Sequence, residues 1–256
     1  MDVDFFLRYS LQRMCGTFGE NEFDSKELLC VGQDYIDEFI AECDRYCETE
    51  AAKLADKYDT SYLSGKRVLF IGDSLTQDRV GYRPIVTKTA DITAKSVAIS
   101  GATSTDMLRL AYEAIRGFKP DIVSLMIGTN DAYIYGGQIK KSLVSTEEYR
   151  QNIAGIISDA KASGAAVIVS AIPPMDERKY SDTHNVAVKS NSNANIAGYN
   201  NIVRIEAADV MLVDLENAVK SASGEMIEPD GIHLNRAGQL VLADLWIKTI
   251  TGGEKR

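Results

Sequence analysis

From Lys66 onward the chain alternates between two hydrophobic periods. Short apolar runs rich in β-branched residues, at 67–71, 94–99, 122–127, 165–171 and 210–213, predict buried strands. Stretches with helical spacing separate them, at 105–117, 146–163, 194–208 and 236–250. Thr103 with Asp106, and Ser145 with Glu148, have the spacing of capping boxes and place two helix starts. Such alternation predicts a parallel sheet with helices on both faces. The polar stretch 176–195, with Asn191, Asn193 and Asn195, reads as a loop. Before Lys66 the pattern is helical throughout. A short amphipathic helix is predicted at 3–14 and a long one at 24–58, where Leu28, Tyr35, Phe39, Cys43, Tyr46, Glu50, Leu54 and Tyr58 recur at roughly helical intervals. The chain thus divides into a helical extension, 1–64, and an α/β unit, 65–256. The apolar stripe of the long helix predicts a face packed on the following unit or, alternatively, a homodimer formed through the N-terminal helices.

Composition changes this picture little. The 256 residues are 45% hydrophobic and 25% charged, which suits a folded chain with a sizeable core. A net charge of -9 argues against a nucleic-acid partner, because phosphate binding needs clustered Lys and Arg. No apolar run approaches a membrane span, so no membrane partner is expected. The start Met1-Asp2-Val3-Asp4-Phe5 lacks the features of a signal peptide, and a cytoplasmic location is expected. The four cysteines, Cys15, Cys30, Cys43 and Cys47, lack zinc-site spacing and read as small buried hydrophobes, with a disulfide or redox role as the alternative.

The candidate chemistry lies at the strand ends, where ligands bind in such folds. Gly72-Asp73-Ser74-Leu75 follows the first strand, Ser100-Gly101 the second, and Gly128-Thr129-Asn130-Asp131 the third. Asp230-Gly231-Ile232-His233 comes near the end of the chain. A serine hydroxyl needs a base to become a nucleophile, and His is the usual one. Asp230, three residues before His233, is placed to reach the ring's Nδ1 and turn Nε2 toward Ser74. The Ser74 and Gly101 backbone N–H groups and the Asn130 amide are candidate oxyanion donors. The only other histidine, His184, lies in the polar stretch and reads as exposed.

These blocks, in this order over roughly residues 66–250, resemble those of the GDSL esterase/lipase family, the SGNH hydrolases. The resemblance implies a flavodoxin-like three-layer α/β/α sandwich with a five-stranded parallel sheet. It implies Ser74 as nucleophile, His233 as base and Asp230 as its partner. Gly101 and Asn130 would complete the oxyanion hole with Ser74, and Gly72, Asp73, Gly128 and Asp131 would support the blocks. No metal and no cofactor are expected. The helical extension departs from the family pattern and carries none of its blocks, so its expected role is structural. Tyr133, Tyr135, Gln138 and the polar stretch 176–195 favour a short-chain, acetyl-type ester of a polar or sugar-like alcohol as the small-molecule substrate. A lysophospholipase or thioesterase activity is the alternative within the family. A catalytically inactive binding module is the alternative outside it, and would be expected to lack one of the catalytic positions, all of which are present.

Overall fold

The computed structural model describes residues 3–9, 31–136 and 140–255. Its strands are β1 (Arg67–Gly72), β2 (Thr93–Ser96), β3 (Ile122–Met126), β4 (Ile134–Tyr135), β5 (Lys141–Ser142), β6 (Ala166–Ser170), β7 (Lys189–Ser190) and β8 (Met211–Val213). Its α-helices are α1 (Val3–Tyr9), α2 (Gln33–Lys57), α3 (Ser74–Gln77), α4 (Tyr82–Thr89), α5 (Ser104–Phe118), α6 (Thr146–Ala162), α7 (Glu177–Thr183), α8 (Asn193–Glu206), α9 (Leu215–Ser221) and α10 (Arg236–Thr251).

Five strands form an all-parallel sheet in the order β2-β1-β3-β6-β8. Successive side chains on a strand point to opposite faces, and the two cores follow that rule. Leu69, Ile71, Val123, Leu125, Val167 and Val169 face the side covered by α5, α6 and α8. Val68, Phe70, Ile122, Met126 and Ile168 face the side covered by α2, α4, α9 and α10. Both faces are buried, which is why these strands read as continuous apolar runs. The exception is β2, an exposed edge whose ladder continues past its end through Val97 N–H to Phe70 O and Ile99 N–H to Gly72 O. On the second face the Trp246 indole donates to Ser124 Oγ at 3.0 Å, so its one polar atom is satisfied where the ring is fully buried.

The long helix contributes to this second core. Cys47, Ala51, Leu54 and Tyr58 are buried against the α/β unit, so this part of its apolar stripe is covered within the same chain. Tyr35, counted in the predicted stripe, is exposed and donates to Asp4 of α1 instead. Cys43 and Cys47 are free and buried, and burial pushes the Cys47 thiol up to about 12. Cys15, Cys30, Leu28 and Gln138, with the predicted helical stretches 10–14 and 24–30, lie outside the described residues.

Several short elements were not legible in the hydrophobic pattern. The stretch 176–195 is not one loop but holds α7, β7 and the start of α8. Asp176 caps α7 by accepting from Lys179 N–H, and Tyr180 is its only buried residue, too little for a periodicity to register. The helices α3, α4 and α9, of four to eight residues, escaped because one or two turns are too short for a period to register. A second, three-stranded sheet, β5-β4-β7, is built from two-residue strands.

Candidate active site

The serine block turns from β1 directly into α3. Asp73 caps that helix, its Oδ1 accepting from Leu75 N–H at 3.0 Å. Ser74 is the first helical residue, so its own N–H has no partner within the helix. The turn requires glycine at position 72. A Cβ there would lie 2.2 Å from Thr76 Oγ1 and 2.5 Å from the Met126 carbonyl oxygen.

The other blocks are tied to this one. Ser100 N–H donates to Gln77 Oε1 at 2.7 Å, fixing the Gly101 segment beside α3. Asn130 Nδ2 donates one hydrogen to Ala102 O at 2.9 Å, which orients the amide and leaves its second hydrogen for another acceptor. Next to it, Asp131 accepts from Ser104 N–H at 3.0 Å and from Ser104 Oγ at 2.5 Å, holding the start of α5. Gly128 precedes this pair, beside Ile127 O, which accepts from the Tyr149 hydroxyl. Asp131 and Asp73 are therefore framework groups. Burial pushes the Asp131 carboxyl up to about 6, against the opposing Ser104 hydrogen bonds. Burial pushes Asp73 up to about 7, and its second oxygen has no hydrogen-bond partner among the described residues.

The last block brings the base into place. His233 Nδ1 is 2.5 Å from Asp230 Oδ2, and His233 Nε2 is 2.8 Å from Ser74 Oγ. With Nδ1–H donated to the carboxylate, Nε2 is the acceptor for the serine proton. Asp230 Oδ1 accepts from Ile232 N–H at 2.9 Å and His233 N–H at 3.0 Å, so the loop folds around its own carboxylate. Burial works against the charged form of Asp230. The His233 hydrogen bond and charge, with the two N–H groups, nonetheless hold the carboxyl down at about 2. Gly231 lies at φ +78°, and a Cβ there would meet Tyr180 N at 2.4 Å and Asp176 O at 2.6 Å. Only glycine lets the loop lie this close to α7.

Ser74, His233 and Asp230 thus come together as the spacing suggested, with Gly101 and Asn130 on segments bonded to one another. His184 differs from expectation: it is half-buried and stacked on Tyr180 at 4.3 Å and 15°. Asn193 and Asn195, polar groups expected near a substrate, are engaged in the framework. Asn193 exchanges hydrogen bonds with the Met175 backbone, and Asn195 Nδ2 donates to Ala132 O. Instead, an aromatic cluster packs beside the Gly231 loop, with Tyr133 and Tyr180 buried and Tyr135 exposed at its edge. Tyr133 stacks on Tyr180 at 6.1 Å and 28°, Tyr135 lies edge-on to Tyr133, and the Lys189 ammonium lies 3.6 Å from the Tyr133 ring centroid. Among the described residues, no three His, Cys, Asp or Glu side chains converge as a metal site would require. No described helix is long and apolar enough to cross a membrane.

Sequence reasoning missed one set of neighbours entirely. The extension was expected to be only structural, yet Phe5 and Tyr9 of α1 lie against the His233 ring, at 5.2 and 4.3 Å between centroids. Their spacing of four was the available signal, since it places both rings on one side of a helix.

A multidomain esterase from Ruminococcus flavefaciens is 29% identical over 143 residues, which is 54% of this chain and 16% of that protein. The chain therefore spans about a sixth of the length of that curated relative. A lipase/acylhydrolase from Enterococcus faecalis is similar in structure with a TM-score of 0.60 and 20% identity, covering 74% of this chain and 97% of that one. An acetyl xylan esterase from Geobacillus stearothermophilus gives a TM-score of 0.58 at 23% identity, covering 75% and 98%. At these identities the solved structures establish the fold. The family model of GDSL-like lipases and acylhydrolases matches residues 70–241, a span holding all the blocks just described, and the chain belongs to that family.

Proposed function

We propose that this domain hydrolyses carboxylic esters through an acyl-serine intermediate, and that its substrates are short-chain, acetyl-type esters of a polar or carbohydrate-like alcohol. The observation that carries the chemistry is the relay Ser74 Oγ–His233 Nε2 at 2.8 Å with His233 Nδ1–Asp230 Oδ2 at 2.5 Å. Ser74 Oγ attacks the ester carbonyl carbon while His233 Nε2 takes its proton. The carbonyl oxygen becomes an oxyanion and accepts from Ser74 N–H, Gly101 N–H and the free amide hydrogen of Asn130. The intermediate collapses with cleavage of the bond to the alcohol oxygen, which leaves with the proton from His233. Water then repeats the sequence on acyl-Ser74, releasing the carboxylic acid. Asp230, ionised from about pH 2 upward, stays charged throughout and stabilises the imidazolium.

Two observations support the substrate class. Tyr135, 37% exposed beside the buried Tyr133, offers a flat, partly polar surface of the kind sugars stack on, with the Lys189 ammonium 5.8 Å from its ring centroid. The acetyl xylan esterase that shares the fold acts on an ester of this type. The test is a substrate panel with wild type and Ser74→Ala. Nitrophenyl acetate and acetylated oligosaccharides should be cleaved, rates should fall as the acyl chain lengthens to octanoate, and Ser74→Ala should be inactive on all. Preference for octanoate or for acyl thioesters would shift the reading to a lysophospholipase or thioesterase. An active Ser74→Ala protein would overturn it altogether.

A further inference from the structure

Helix α1 is joined to both halves of the relay. Arg8 forms a bidentate pair with Asp78, Nε to Oδ1 at 3.0 Å and Nη2 to Oδ2 at 2.7 Å, and its Nη1 reaches Glu228 Oε1 at 2.5 Å. Asp78 is the residue that ends α3, the helix begun by Ser74. Glu228 lies in the His233 loop, its N–H bonded to His233 O at 2.7 Å. The Tyr9 hydroxyl donates to Asp78 Oδ2 at 3.1 Å and lies 3.4 Å from Leu234 O, and Arg79 Nε donates to Leu7 O at 2.9 Å. Tyr9 is 1% exposed and Asp78 fully buried. Burial works against the Arg8 charge, yet the Asp78 carboxylate holds its pKa well above the ordinary value.

Between these anchors the Tyr9 ring lies on the His233 ring at 4.3 Å and 35°, and Phe5 meets the same ring at 5.2 Å and 80°. Phe5 and Tyr9 also touch each other, at 4.8 Å. The last torsion of a histidine is broad. The bond to Asp230 fixes one ring atom but still allows the ring to pivot about it. An aromatic surface against the ring removes that freedom, and it does so through a helix whose other bonds hold it to α3.

We propose that Tyr9 is a positioning residue for His233, and that α1 completes the hydrolytic site by holding the imidazole plane so that Nε2 points at Ser74 Oγ. The inference rests on the serine-hydrolase reading above. It gives the N-terminal segment a part in catalysis besides its part in the core.

The test uses the full chain with Tyr9→Leu, which keeps apolar volume but removes the ring, and Tyr9→Phe, which keeps the ring. Since a misplacement of about 1 Å can cost about 10²-fold, Tyr9→Leu should lower kcat on nitrophenyl acetate by about 10–100-fold with KM within about twofold. The rate of Ser74 labelling by a fluorophosphonate should fall in parallel. Tyr9→Phe should keep kcat within about threefold of wild type, because the surface against His233 is unchanged. Wild-type kcat in folded Tyr9→Leu would overturn the proposal. So would equal losses in both variants that track a lowered melting temperature, since the ring would then matter only for stability. If Tyr9→Leu does not fold, the half-buried Phe5→Leu decides: a lowered kcat at an unchanged melting temperature supports the proposal, and an unchanged kcat overturns it. Ser74→Ala in the same series separates the two readings. If it is inactive while the α1 variants are unaffected, only this inference fails; if it is active, the hydrolase reading itself fails.

Discussion

Residues 66–250 and the helices before them arrive at the same histidine by different routes. In the first region the site is assembled at strand ends. Ser74 follows β1, Gly101 the extended ladder of β2, and Asn130 β3, so the sheet's order brings the three blocks together. Each block is then bonded to the next, through Gln77–Ser100 and Asn130–Ala102. In the second region nothing follows from a sheet. Helix α1 is carried to His233 by an ion pair to Asp78 and by the burial of Leu7 and Tyr9, while α2 fills the face beside α4 and α10. The comparison shows that a side chain can lie against the candidate base without belonging to any recognisable motif.

The largest effect should come from the motif-built side. Asp230→Asn leaves the loop geometry in place but favours the wrong tautomer of His233, and kcat should fall by about 10⁴ with the fold intact. If activity survived, the relay would not run through Asp230. Next is the oxyanion side. Asn130→Ala should lower kcat by about 10²–10³ with little change in KM, because its free hydrogen serves the charge that develops in the transition state. A change confined to KM would assign Asn130 to substrate binding instead.

On the extension side, Arg8→Ala removes the cation from a fully buried carboxylate. Breaking one half of a buried pair costs about 3–5 kcal/mol, and solvent access to Arg8 places the expected loss at the lower end. Urea unfolding at neutral pH measures it. An unchanged midpoint would show that α1 is held by its apolar contacts alone, and would weaken the contrast between the two regions.

The remaining effect concerns Asp73. Burial raises its folded pKa to about 7, so the folded state holds a proton that the unfolded chain releases near its ordinary value of 3.8. Stability from this group is complete below about pH 4 and is lost as pH rises to about 7. Asp73→Asn keeps an oxygen for Leu75 N–H but has no such titration. Its melting temperature relative to wild type should therefore rise between pH 4.5 and pH 8, by about 2–4 °C for each kcal/mol. A gap that is constant with pH would show that Asp73 does not titrate in this range.

The strands and long helices were legible because each repeats its pattern over enough residues. The continuous apolar runs of β1, β3 and β6 and the capping box at Thr103 and Asp106 needed nothing beyond the local chain. The site blocks were legible because their residue types and order are distinctive: a serine and a histidine, each in a glycine-containing turn, carry information even when isolated. The short helix α7 and the sheet β5-β4-β7 were not, because two to seven residues give no period and their stability comes from neighbours such as Tyr133 and the Gly231 loop.

What the sequence determined by itself was therefore the local conformations, the two-faced sheet they imply and the identity of the groups at its strand ends. Tertiary structure alone decided the rest: that Asn193 and Asn195 serve the framework, that the polar stretch 176–195 packs as a helix and a strand, and that Tyr9 lies on His233. The physical reason is range. Periodicity and turn chemistry act between residues a few positions apart. The contact between Tyr9 and His233 depends on Arg8 meeting Asp78, and no local pattern encodes where two such distant charges will meet.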